Sequence, residues 1–210
     1  MTRHADFLNR FSGDQGSAVI VALMATVLLS ALGAGLIALS NTETTIASNF
    51  RGGTATSYAA EAAGECAVSE VIKAASWSDV LSGVVSSTFR DGTLTPTIAS
   101  GTTLDLTGLT ASLQSASDAA ARRGLDNPRW RLFLYQPLSA ITRSPDARSY
   151  VVAWVADDAA ETDNDPLRDT NGVIAVRATA VGREGSQRTV ETILSRSSVG
   201  VSNLSWREIR

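Results

Sequence analysis

The chain has a single cysteine, Cys66, which excludes any disulfide within it. Its setting on an alanine-rich helical face gives it the character of a small buried apolar residue. The only histidine, His4, stands within the first few residues. The rest of the chain therefore has none for a Ser-His-Asp triad or a histidine-containing zinc site. There is no phosphate-binding glycine loop either, because 51–57 (RGGTATS) lacks the lysine and spacing of one. The 18 Lys and Arg residues are scattered, the net charge is −3 and the pI is near 5.2. No basic patch is left to bind nucleic acid. With no constellation for catalysis, the chain reads as a non-enzyme.

The most consequential lack is of charge between Gln15 and Thr42. The centre of that run, 17–39 (SAVIVALMATVLLSALGAGLIAL), would reach about 35 Å as a helix, against about 30 Å of hydrocarbon in a bilayer. It is too long for the apolar core of a cleaved secretory signal, about 7–15 residues. It also continues without a proline into 41–50 and 58–75. The expectation is one helix over 17–75, transmembrane at 17–39 and amphipathic at 43–75. On the outer half, Ile46, Phe50, Tyr58, Ala62, Val68, Val71, Ile72 and Ala75 recur near helical spacing, a stripe that asks for a partner surface. Gly52-Gly53 should form a bend or soft point. Arg3 and Arg10 before the span place the short N-terminal end in the cytoplasm and the remainder outside the inner membrane.

Beyond the helix, about 135 residues suit one domain over 76–210. The stretch 77–109 is rich in Ser, Thr and Gly, which predicts loops and short strands without a long helix. A short helix is expected at 113–124. Four strand-like runs follow at 130–135, 149–155, 173–181 and 187–195, the last two joined as a hairpin through 182–186. In the third run Ile174, Val176, Ala178 and Ala180 alternate with Arg177 and Thr179, the pattern of a half-solvated antiparallel sheet. One polar cluster stands out between the second and third runs. Its Asp157, Asp158, Asp163, Asp165, Asp169 and Asn171 offer the hard oxygen ligands that calcium prefers, although the EF-hand spacing is not met. The competing reading is a solvated loop of turn formers closed by Asn171-Gly172.

The segment before the apolar run, 10–16 (RFSGDQG), ends in glycine directly ahead of Ser17. This arrangement resembles a prepilin leader, and the resemblance implies a cut between Gly16 and Ser17 by a membrane prepilin peptidase, with methylation of the new N-terminus. The leader would then be 1–16. Downstream, Asn49 and the Ala60-Glu61-Ala62 triplet within 58–63 (YAAEAA) resemble the N-terminal region of PilX-type minor pilins. The likeness covers about a third of the chain, from Gln15 to about Ala75. It implies a pilin-like α+β fold, in which a long N-terminal helix packs on a small antiparallel sheet. It also implies a minor pilin of a type IV pilus, partnered with other pilins through the helix and held in the bacterial inner membrane or at the cell surface in a pilus. The family's bulk subunits carry a glutamate at the fifth position after the cut, and here that position is Val21. A carboxylate in lipid is costly unless paired, so its absence favours an initiating or tip-proximal subunit. Two alternatives stay open, a pseudopilin of type II secretion and a bitopic membrane-anchored binding module whose acidic loop holds calcium.

Overall fold

The structure is a computed structural model that describes residues 14–98, 100–121, 124–144, 147–182 and 185–209. The element order is α1 (Asp14–Lys73), α2 (Trp77–Ser82), α3 (Leu106–Ala121), a 3-10 turn (Gly124–Asp126), β1 (Arg131–Pro137), α4 (Leu138–Thr142), β2 (Tyr150–Asp157), β3 (Val173–Val181), β4 (Gln187–Ser197) and β5 (Gly200–Ile209). The chain divides into two compact units, Met1–Phe50 and Arg51–Arg210.

In the first unit the described chain is entirely α-helical. Every large apolar side chain from Val19 to Leu39 is more than half exposed. Among the described residues this is the one helix long and apolar enough to cross a membrane. Two hydroxyls of the apolar run bond within the helix: Thr26 donates to the Ala22 carbonyl at 2.5 Å and Ser30 to that of Thr26 at 2.8 Å. A segment surrounded by hydrocarbon needs such internal pairing, since nothing outside would accept those protons.

The second unit is built on an antiparallel meander whose strand order is β1-β2-β3-β4-β5. Period-2 alternation gives each strand two faces. On one, Val151, Ala153 and Val155 of β2, Ile174, Val176, Ala178 and Ala180 of β3, and Val190 and Leu194 of β4 form a core with Ala59, Ala60, Ala63, Ala67 and Val71 of α1. Almost every helix residue in this contact is alanine, so the helix backbone lies close to the sheet. At Gly64 even a Cβ would sit 3.4 Å from a Val190 methyl and 3.7 Å from Ala178. The stripe expected from hydrophobicity holds in part: Val71 is buried in this core and Ala62 and Val68 pack against it. Tyr58 and Ile72 are instead 67% and 43% exposed, and the smaller side chains a quarter-turn away make the contact. In the first unit Ile46 and Phe50 are exposed as well. The helix assignment runs through Gly52-Gly53 without a break.

At the C-terminus of α1, carbonyls in and just after the last turn find partners from residues outside the helix. Trp77 donates its indole N–H to the Val71 carbonyl at 3.0 Å. Arg196 of β4 donates to the carbonyls of Ala74 at 2.8 Å and Ala75 at 3.1 Å, its guanidinium lying 4.3 Å from the centre of the Trp77 ring. Tertiary capping thus replaces the glycine that usually ends a helix.

The other sheet face is covered over β2 and much of β3, where its polar residues suggested solvent, and is open toward β4 and β5. Tyr150, Val152, Trp154 and Ala156 of β2 and Ala175 and Val181 of β3 join Ile98, Leu106 and Trp130 in a second core, with Leu109 and Leu113 of α3 against it. Trp154 donates its indole N–H to Thr110 on α3 at 2.8 Å. Two further differences concern the stretch before the sheet. The segment expected to hold loops and short strands without a long helix also contains the six-residue α2, capped by Ser76. Helix α3 also begins at Leu106, well before the expected 113, with Asp105 accepting from the Gly108 N–H at 3.0 Å. All four expected strands form and a fifth, β5, adds an edge. The β3–β4 pairing closes at Val181 opposite Gln187, while 183–184 of its loop lie outside the described residues.

Candidate functional site

Leaving β2, the chain enters the acidic loop through Asp157, which is only 2% exposed. One carboxylate oxygen each from Asp157, Asp158 and Glu161 lie within 4.8 Å of one another. Burial, followed by the charge of Glu161, holds the Asp157 carboxyl up at about 8, and burial also raises Asp169 above the ordinary carboxylate range. Glu161 organises the loop from its centre. It accepts from the backbone N–H groups of Thr170 at 2.8 Å and Asn171 at 2.7 Å, and from the Thr170 hydroxyl at 2.7 Å. Asn171 in turn donates its side-chain amide to Asp158 at 2.7 Å, and Asp169 accepts from Gly172 N–H at 2.7 Å. The return into β3 needs glycine at 172. Its φ is +75°, and a Cβ there would meet the Arg196 carbonyl oxygen at 2.6 Å.

Of the six residues expected to offer oxygen ligands, the fold brings Asp157 and Asp158 together, with Asn171 bonded to Asp158. Asp163 and Asp165 instead accept from the backbone N–H groups two residues on, those of Asp165 and Leu167, as turn formers do. Asp169 closes the loop onto β3. The donor chemistry of the three clustered carboxylates suits a hard cation, yet their oxygens already serve the loop's own N–H groups. Glu161 escaped notice in the sequence because it sits between alanines and a threonine, outside the Asp-rich stretch that follows.

Beside this loop a groove of about 820 Å³ opens over β3, β4 and β5. Its floor is Ala175, Ile193 and Leu204, and the last two turns of α3 wall it with the methyl groups of Ala116 and Ala120. Asp157 and Asp158 stand at one end. At the other, Arg177, Glu191 and Arg207 form one rung across three strands. The Glu191 carboxylate is 5% exposed and bidentately shared. Arg177 Nε donates to it at 2.8 Å and Arg207 Nε at 2.9 Å, and Arg177 also stacks over the Trp130 ring at 4.6 Å. A signal for half of this rung was present. A hairpin that pairs Val181 with Gln187 necessarily sets Arg177 opposite Glu191.

The expected cleavage position lies at the start of the described chain. Gly16 and Ser17 are in the first turns of α1, Ser17 is exposed, and a Cβ at Gly16 would meet no atom within 4 Å. Packing within this chain therefore does not require glycine there. Residues 1–13 of the expected leader lie outside the described residues. No family model, curated protein or solved structure matches this chain, so a functional reading stands on its own residues.

Proposed function

We propose that the chain is a PilX-type minor pilin of a type IV pilus, a non-catalytic subunit that takes part in pilus assembly or initiation. The observation that carries this reading is the uncharged helical run after Gly16-Ser17, which exposes every large apolar side chain to Leu39 and pairs the Thr26 and Ser30 hydroxyls within itself. Such a surface is stable in lipid or against other helices, and it is too apolar to face water. The alanine face at 59–67 on an antiparallel sheet supports a pilin-like arrangement in the second unit.

In this reading prepilin peptidase cuts after Gly16, and the helix is retained in the bacterial inner membrane with the β-rich domain on the periplasmic side. As the subunit leaves the bilayer, its helix exchanges lipid contacts for contacts with other pilin helices. Val21 brings no carboxylate into that environment, which favours an initiating or tip-proximal place. Sequencing the N-terminus of the protein recovered from membranes tests the proposal. Methylated Ser17 is the expected first residue. An intact Met1, or a cut beyond the apolar run, refutes it, and Gly16→Leu should leave the chain inserted but uncut.

A further inference from the structure

Helix α1 carries a second pattern that the apolar run conceals. Leu29, Leu32, Leu36 and Leu39 continue to Glu43, Ile46 and Phe50 at alternating steps of three and four residues. That is the seam spacing of a left-handed coiled coil, seven residues to two turns. Up to Leu39 the spacing means little, because the other faces of the helix are apolar as well. Beyond Leu39 it decides. Among 40–50 (SNTETTIASNF) the large apolar side chains are Ile46 and Phe50, and both fall on the series. They stand about 10 and 16 Å past Leu39 along the axis, outside hydrocarbon that ends near the apolar run. Ile46 is 63% exposed and Phe50 is 74% exposed. The one interruption of the series is Glu43, which is exposed and takes part in none of the ion pairs among the described residues.

We infer that this face of 29–50 is a seam for the parallel helix of a different subunit, one that carries Lys or Arg at the position facing Glu43. The parallel sense rests on the pilin reading, in which neighbouring subunits insert the same way round. In a parallel pair equivalent seam positions face each other, so a second copy would set Glu43 against Glu43 at the membrane surface. Like charges there oppose the pair, whereas a facing cation forms an ion pair across the seam. The apolar positions attract any helix of matching spacing, and Glu43 selects among them. Helices in a bilayer most often cross left-handed at about 20°, the coiled-coil geometry. The seam therefore runs unbroken from lipid into the space outside, over about 32 Å.

Full-length chains in phosphatidylcholine vesicles test it, with the Glu43→Lys chain as the probe, since it keeps the seam and supplies the facing cation. Labels at Ser48→Cys, on the side away from the seam, in a Cys66→Ala background report pairing by fluorescence energy transfer. An antiparallel pair holds these labels on opposite sides of the bilayer, so the parallel pair is the one read. Chains with Glu43 should pair with Glu43→Lys chains about ten-fold or more tightly than either pairs with itself. Ile46→Asn with Phe50→Asn in both chains, at exposed positions of α1, should remove that preference, whereas Thr44→Asn, off the seam, should leave it. Equal pairing of like and mixed chains, or a preference that survives the Ile46 and Phe50 changes, overturns the inference. Pairing is compared between chains with the same N-terminus, so these outcomes do not bear on where it is cut.

Discussion

Replacing Arg196 with methionine should destabilise the Arg51–Arg210 unit by about 2–3 kcal/mol. The side chain donates to two carbonyls at the end of α1, at 2.8 and 3.1 Å, and lies 4.3 Å from the Trp77 ring centre. Each partly solvated hydrogen bond is worth about 1 kcal/mol net, and the cation–π contact adds about 0.5–1 kcal/mol. Methionine keeps much of the aliphatic packing, so the loss reports on the guanidinium. Lysine retains the charge but not the fork, and should recover about half. Denaturation of the full chain in detergent, followed by near-UV circular dichroism, measures this, with a fall in Tm of roughly 5–10 °C for a unit of this size. Amide exchange at Val71–Ala75 should accelerate in parallel. A change under about 0.5 kcal/mol in the methionine variant would mean that water caps these carbonyls equally well, and the tertiary cap would be refuted.

Two more predictions concern the loop and the helix face. The folded chain holds Asp157 at about 8, above its ordinary 3.8, so it keeps a proton that the unfolded chain releases. Stability is then fully present below about pH 4 and declines as pH rises toward 8, by up to about 1.4 kcal/mol per pH unit. Asp157→Asn keeps an acceptor for the Asp158 N–H and should flatten that decline in urea denaturation between pH 5 and 8. Parallel curves for the two proteins would remove the buried carboxyl as its source. On the helix, Ala63→Leu should cost about 1–3 kcal/mol by overpacking against the sheet, whereas Tyr58→Ala should stay within about 0.5 kcal/mol. The opposite ranking in thermal unfolding would return the contact to the larger side chains.

The strands were legible in the sequence because two buried faces leave a continuous apolar run in β2 and a nearly continuous one in β3, and a Gly-containing loop between β3 and β4 marks their pairing. β5 was harder to read. It lies at an edge, held mainly by its ladder with β4, and its mostly exposed residues have no need to alternate. The helix face was misjudged for a different reason. Hydrophobicity ranks Tyr58 and Ile72 above alanine, but a helix lying this close to a sheet selects for small volume, and alanines look neutral to any hydrophobicity scale. In the acidic loop the sequence exposed the carboxylates without saying which would be buried. Asp157 is fixed by being the last residue of β2 and Glu161 by accepting from three groups across the loop, both consequences of tertiary closure. Beyond the pairing of Arg177 with Glu191 the groove had no signature, since its lining comes from α3, β2, β3, β4 and β5.

Thr26 and Ser30 give their only protons to carbonyls of their own helix. Any helix that comes to lie against this part of the span finds lone pairs but no donor from those two hydroxyls. Recognition there falls to contour, the fit of one set of methyl groups and grooves against another. A surface of that kind accepts many chemical replacements of equal volume, and it is disturbed most by a change in size. Its neighbours are chosen by shape.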